Sequence, residues 1–171
     1  FQAHHTLRDL VEESRLIPAT PIGNVIVVDR YSQTPVPMEQ LELVSDLDGH
    51  AGLNRSLNVC MIGARDDLDA VRAYLKKHEQ WQRNDQTGQY VQVSKTYRSY
   101  KKEIERFILW CVLEQKKPMS SILGEDCEDY KRFIADPPSH WTGPRERRGT
   151  NRWKPFTGKM SPVSQVYAIR A

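Results

Sequence analysis

The chain has 171 residues, a hydrophobic fraction of 39%, a mean hydropathy of −0.65 and a formal net charge of +3. This length suits one domain, or one domain with an appendage, and no apolar run approaches the roughly 18 residues of a membrane-spanning helix. Three cysteines without a Cys-x-x-Cys pair argue against a disulfide framework or a zinc knuckle and are typical of a reducing compartment.

The sequence pattern of the first 60 residues predicts a mostly extended segment, which we call the N-terminal arm. Helical spacing over residues 1–16 is weak, and four prolines between positions 18 and 37 prevent a continuous helix. The run from Val25 to Val28 favours an isolated strand or a segment lying on a partner surface. Residues 1–63 carry 4 basic and 8 acidic side chains. We therefore expect the arm to pack on the rest of the protein or to lack order, rather than to bind a polyanion.

The second part of the chain is basic and has helical patterning. Residues 64–171 carry 21 basic and 14 acidic side chains, so a polyanionic partner would bind here. Acidic residues in a first turn and one apolar face predict a helix over residues 66–80. Residues 83–93 are polar and predict a loop. Ser94 is then the expected N-cap of a long helix that ends before Pro118.

The long helix has two opposite faces. At about 100° per residue, aromatic and aliphatic side chains fall on one side, and basic residues at intervals of three, four and four fall on the other. The basic stripe consists of Lys95, Arg98, Lys102 and Arg106. By itself such a stripe is typical of an ordinary solvated face, and a nucleic-acid contact is the alternative. Beyond Arg106 the helix is apolar all round, which predicts that its last turns are buried.

Two further helices and a basic loop complete the pattern. Gly124 as N-cap, with acidic residues after it, predicts a helix that Pro137 stops; these acids are typical of a helix start and not of a metal site. Residues 141–159 combine six basic side chains with two tryptophans and a phenylalanine, which suits phosphate contact with aromatic anchoring or a surface loop pinned by tryptophans. Ser161 followed by Pro162 predicts a last helix. Because the chain starts with Phe and stops inside this helix, we expect a piece of a longer protein.

The order of these features resembles a known family. The segment TYRSYKKEIERFILWCVLEQKKPMSSILGEDCEDYKRFIADP, residues 96–137, resembles the SAM-like or core-binding domain of phage-type integrases, the tyrosine recombinases. The matching positions are Thr96, Tyr100, Phe107, Trp110, Ser120, Ser121, Ile122 and the segment 126–133, where Ile122 replaces the family's Leu. Residues 141–165 resemble a long insert of some bacterial integrases, with Trp-Lys-Pro-Phe in place of Trp-Arg-Pro-Phe. The match covers about residues 60–171.

The resemblance implies an all-α fold: a small four-helix orthogonal bundle over residues 61–171, with residues 1–60 as a mostly extended N-terminal arm. It implies a cytoplasmic domain that clamps duplex DNA together with other recombinase protomers, with no membrane contact, small-molecule substrate or cofactor. In the family a separate C-terminal domain carries the tyrosine nucleophile and its Arg, Lys and His-x-x-Arg partners. Here His5 and Arg8 fit His-x-x-Arg formally, but they precede the binding domain, so we expect no catalysis from this chain.

Carried over by position, the DNA-facing candidates lie on the long helix, the loop before it, the last helix and the insert. They are Ser94, Lys95, Thr96, Arg98, Ser99, Lys102, Arg106, Ser161, Ser164, Gln165, Arg145, Arg147, Arg148, Arg152 and Lys154. Lysines and arginines would mainly hold phosphates, while base reading would come from Arg98, Ser99 or Gln165. The alternative function is a helical protein-interaction or oligomerisation module.

Overall fold

The computed structural model describes residues 24–56 and 58–171, so the weak helix expected over residues 1–16 lies outside the described residues. The described chain forms four α-helices: α1 (Asp67–Lys76), α2 (Lys95–Leu113), α3 (Gly124–Ala135) and α4 (Pro162–Arg170). Strand β1 (Ile26–Val28) pairs in parallel with β2 (Leu41–Leu43), and β3 (Trp81–Arg83) pairs antiparallel with β4 (Tyr90–Gln92). The fold thus combines four helices with two small sheets, where the resemblance implied an all-α bundle and the sequence favoured at most one isolated strand, at residues 25–28. None of the described helices has the length and apolar character to cross a membrane.

Helix α2 is the central element of the core. Ser94 is its N-cap, as predicted, because the Ser94 Oγ atom accepts a hydrogen bond of 3.1 Å from the Tyr97 N–H. Every residue from Ile108 to Leu113 is buried, which confirms the burial predicted for the last turns. The helix ends at Leu113, a few residues before the predicted end, and Lys116 then takes a left-handed backbone conformation with φ of 53°.

Aromatic rings from three segments pack around the end of α2. The Trp110 ring lies 5.1 Å from the Tyr130 ring of α3, measured between centroids. Phe133, also on α3, meets Trp141 edge-on at 4.9 Å. Trp141 and Phe156 come from the basic loop and are both almost fully buried. The loop is therefore pinned to the core by its aromatic residues, as the second interpretation of its sequence proposed.

The described part of the N-terminal arm belongs to the same core. Its buried apolar side chains join the cluster around α1 and α2; they are Val28, Val36, Met38, Leu41 and Leu47. Residues 24–56 thus follow the expectation of packing on the rest of the protein. The boundary predicted at residue 60 separates side chains that contact one another. Met38, Leu41 and Leu47 recur at intervals of three and six residues, a pattern too thin to predict a packed core, and Val28 and Val36 depend on distant partners for burial.

Two local predictions need correction. Leu123, not Gly124, is the N-cap of α3, and the Asp126 carboxylate accepts a hydrogen bond of 2.9 Å from the Leu123 N–H. The predicted loop at 83–93 is the second half of a β-hairpin, in which β3 and β4 are only three residues long. Strands this short have too few alternations to be recognised from a sequence pattern.

Candidate nucleic-acid interface

One face of α2 presents exposed basic and hydroxyl side chains. The exposed residues of this face are Lys95, Thr96, Arg98, Ser99 and Lys102. Lys102 forms an ion pair of 2.9 Å with Glu103, and its side chain remains about half exposed. Arg98 makes only a long hydrogen bond of 3.5 Å to the Val93 carbonyl. We call these five residues the α2 cationic face.

Arg106 does not belong to this face, although the helical spacing predicted it there. Its side chain is 12% exposed, and its guanidinium donates hydrogen bonds of 3.0 and 2.9 Å to the Pro155 carbonyl. It also contacts the Glu103 carboxylate at 3.0 Å and lies 4.4 Å above the centre of the Phe156 ring. These contacts use its donors within the protein, so Arg106 joins α2 to the insert and is not positioned to hold a phosphate.

Ser94 also has a structural position. It is buried, and its hydroxyl is used by the N-cap hydrogen bond to Tyr97. We expect Ser94→Ala to lower the free energy of unfolding by about 1 kcal/mol, because the first turn of α2 loses its cap. Ser99→Ala, on the exposed face of the same helix, should change it by less than about 0.5 kcal/mol. Urea denaturation of both variants tests this, and equal stabilities would contradict the assignment.

A cleft of about 470 Å³ separates the α2 cationic face from the start of α4. Its walls include Ser99 and Lys102 on one side and Lys159, Ser161 and Ser164 on the other. Ser161 is the N-cap of α4, as predicted, and its Oγ atom accepts a hydrogen bond of 3.3 Å from the Ser164 N–H. A helix N-terminus favours anions, so the cleft adds to the positive character of the surface.

Gln165 on α4 is not free to read bases as predicted. The cleft also contains Lys159, which was not among the predicted DNA contacts. The Gln165 Nε2 atom donates a hydrogen bond of 2.9 Å to the Met160 carbonyl, so its amide is engaged within the protein. Lys159 lines the cleft and pairs with Asp136 at 3.0 Å. The sequence signal for Lys159 was its place two residues before Ser161, the N-cap of α4.

The basic side chains of the insert differ in whether they form contacts within the protein. Arg145 and Arg147 are exposed, Lys154 is half-buried, and Arg152 is an exposed residue that pairs with Glu146 at 3.1 Å. Arg148 is also exposed, with 43% of its side chain accessible, but its guanidinium is engaged within the protein. Its guanidinium donates a hydrogen bond of 3.0 Å to the buried Glu105 carboxylate and lies 5.2 Å from the centre of the Trp153 ring. Arg148 is therefore a structural cation and not the DNA contact that its position in a basic run predicted.

Glu105 is the centre of a network that joins three parts of the chain. Its side chain is almost completely buried on α2, and it accepts a hydrogen bond of 2.7 Å from the Met38 N–H of the N-terminal arm. Arg148 bridges Glu105 and Glu39, with 2.6 Å between its Nη2 atom and Glu39 Oε2. Lys101 also pairs with Glu39. We call Glu39, Lys101, Glu105 and Arg148 the Glu105 network.

The network makes stability depend on acid pH. Desolvation favours neutral Glu39, but hydrogen bonds from Arg148 and Lys101 outweigh it and lower the pKa of Glu39 from 4.5 to about 2. A depressed pKa stabilises the fold above pH 4.5, and this contribution is lost as the pH falls from 4.5 toward 2. We expect Glu39→Gln to reduce the loss of stability over this interval, measured by thermal unfolding at several pH values. Glu42→Gln, at an exposed residue of β2, is the control, and an identical pH profile for the wild type and Glu39→Gln would contradict the prediction.

The described residues contain no group of three or more His, Cys, Asp or Glu side chains that could hold a metal ion. Comparisons with protein-family models, curated proteins and solved structures find no match to this chain.

Proposed function

We propose that this chain is the duplex-DNA-binding, SAM-like core-binding domain of a tyrosine recombinase of the phage-integrase type, acting in the cytoplasm with other recombinase protomers. The chain itself does no catalysis, which belongs to a separate domain. The observation that carries the proposal is the α2 cationic face, where Lys95, Arg98 and Lys102 are exposed on one side of a helix whose other end is buried.

The geometry of α2 suits a phosphate backbone. At 1.5 Å per residue, the three cations lie about 4.5 and 6 Å apart along the helix axis, and they project in the same direction. Lysine and arginine at such positions fix a protein on the duplex, while the hydroxyl and guanidinium groups of Ser99 and Arg98 are able to reach base edges. The buried turns from Ile108 to Leu113 hold the helix, so little ordering is required on binding.

A salt titration of duplex binding tests the proposal. With about six phosphate contacts, the affinity for a labelled 30-base-pair duplex should fall about a thousandfold between 50 and 200 mM salt, because each contact releases counterions. Fluorescence anisotropy measures the dissociation constant at each salt concentration. Absence of binding at 50 mM, or an affinity independent of salt, would contradict the proposal.

The second candidate function is a protein-interaction module. The exposed apolar side chains of α4 favour it. Its exposed residues include Val163, Val166, Tyr167 and Ile169, and Ala168 is its one buried side chain. If this face associates with a second copy, Val166→Asp should abolish a dimer seen by sedimentation. The double variant Lys95→Glu/Arg98→Glu should leave such a dimer unchanged, which separates the two functions.

A further inference from the structure

The β3–β4 hairpin projects from the protein immediately before the α2 cationic face. Its register pairs Trp81 with Gln92 and Arg83 with Tyr90. Directly paired residues share a face of a ribbon, so Trp81, Arg83 and Tyr90 lie on one face and Gln82 on the other. Trp81 and Tyr90 are 56% and 68% exposed, which leaves this face without a partner in the described chain.

The hairpin is rigidly connected to the start of α2. The Gln92 Oε1 atom accepts hydrogen bonds of 3.0 Å from the Gln80 N–H and 2.8 Å from the Ser94 N–H. The Val93 N–H donates a further bond of 2.8 Å to the Gln80 carbonyl. The base of the hairpin and the N-cap of α2 therefore share one hydrogen-bond network, and the ribbon has a fixed direction relative to the cationic face.

The tip of the hairpin is also well defined. The Asn84 side chain accepts hydrogen bonds of 2.9 and 3.1 Å from the Gln86 and Thr87 N–H groups. Gly88 has a φ of +69°, a left-handed conformation that favours glycine. From Trp81 to this turn the ribbon extends about 10 Å, close to the depth of the DNA major groove, which is wide enough for a two-stranded ribbon.

The chemistry of the hairpin, rather than its charge, fits a nucleic-acid groove. The hairpin itself is close to neutral, since residues 81–92 carry Arg83 and Asp85, and its base adjoins the basic start of α2 with Lys95 and Arg98. The tip carries the amides of Gln86 and Gln89, while the Asn84 side chain holds the turn. Glutamine and asparagine are suited to base edges, and arginine is suited to phosphates.

We propose that the β3–β4 hairpin is a second DNA-contacting element. It enters a groove of the duplex beside α2, with Arg83 on a phosphate and the amides of Gln86 and Gln89 at base edges. This inference rests on the proposed DNA-binding function and deepens it, because it gives the loop before α2 a fold, a direction and named contacting residues.

Two variants and one control test the hairpin. In the first variant, Asn-Gly replaces residues 83–90, which joins Gln82 to Val91 through a two-residue turn and preserves the base of the ribbon. The second variant is Arg83→Gln, which retains the whole hairpin and does not depend on the shortened turn folding. The control is Gln82→Ala, on the opposite face. Each protein is titrated with a labelled 30-base-pair duplex at several salt concentrations.

We expect Arg83→Gln to weaken binding about eightfold at 0.1 M salt and to reduce the slope of log affinity against log salt by about 0.9, as for one lost phosphate contact. The shortened hairpin should lose at least as much, and Gln82→Ala should bind like the wild type. The inference is overturned if both hairpin variants bind like the wild type while Lys95→Glu/Arg98→Glu binds weakly, a result that leaves the DNA-binding function intact. Absence of duplex binding by the wild type would overturn the function itself.

Discussion

Replacing Arg148 with alanine is expected to lower the free energy of unfolding by about 3 kcal/mol, because Glu105 is left as a buried carboxylate without its cation. The Glu105 side chain is 2% exposed and can recruit little water. Its second hydrogen bond, from the Met38 N–H, remains but carries no full charge. We place the loss at the low end of the range for broken buried ion pairs, since the Arg148 side chain is itself 43% exposed.

Arg147 provides the matched control for this substitution. It is the neighbouring residue in the same basic run, it is exposed, and its side chain has no ion pair among the described residues. Arg147→Ala should change the free energy of unfolding by less than about 0.5 kcal/mol. Urea denaturation followed by tryptophan fluorescence measures both variants. Similar stabilities for Arg147→Ala and Arg148→Ala would mean that Arg148 is not the structural cation described above.

The double variant Lys95→Glu/Arg98→Glu is expected to weaken duplex binding more than about sixtyfold at 0.1 M salt. Counterion release accounts for about eightfold per lost phosphate contact at this concentration, and two new carboxylates add repulsion. The stability of the protein should change little, because both side chains are exposed and Lys95 has no ion-pair partner in the described part of the chain.

The control for this variant must carry the same change of net charge. Lys131→Glu/Arg132→Glu on α3 does so, and both side chains are exposed there. If DNA binds the α2 cationic face, the α3 variant should lose only a few-fold in affinity, through the general field of the protein. Equal losses for the two double variants, measured by fluorescence anisotropy, would remove the evidence for a specific surface.

The parts of the fold that depend on short-range chemistry were predictable from the sequence. Ser94 caps α2 and Ser161 caps α4, because a serine side chain at a helix start acts on residues only three positions away. The burial of the last turns of α2 followed equally from an apolar run with no polar side. The partners of both N-caps are close in sequence. The apolar turns of α2 can be buried by any apolar neighbour, so their burial does not depend on a particular partner.

The candidate site was less predictable, because helical spacing gives the direction of a side chain but not what covers it. Arg106 lies in phase with Lys102, yet Phe156 and the Pro155 carbonyl from the insert cover it. Arg148 stood in a run of basic residues, and only the distant Glu105 draws it inward. Both corrections come from the return of the insert to α2, a contact between segments some 40 to 50 residues apart.

The Glu105 network also bears on where an autonomous folding unit begins. A protein shortened to residues 61–171, the span that the resemblance covers, would lack Glu39 and the Met38 N–H and would leave Glu105 with Arg148 alone. It would also expose the surface that Val28, Leu41 and Leu47 cover. A fragment that keeps this cluster intact must therefore start before Val28, and we expect shorter fragments to expose hydrophobic surface and to aggregate more readily.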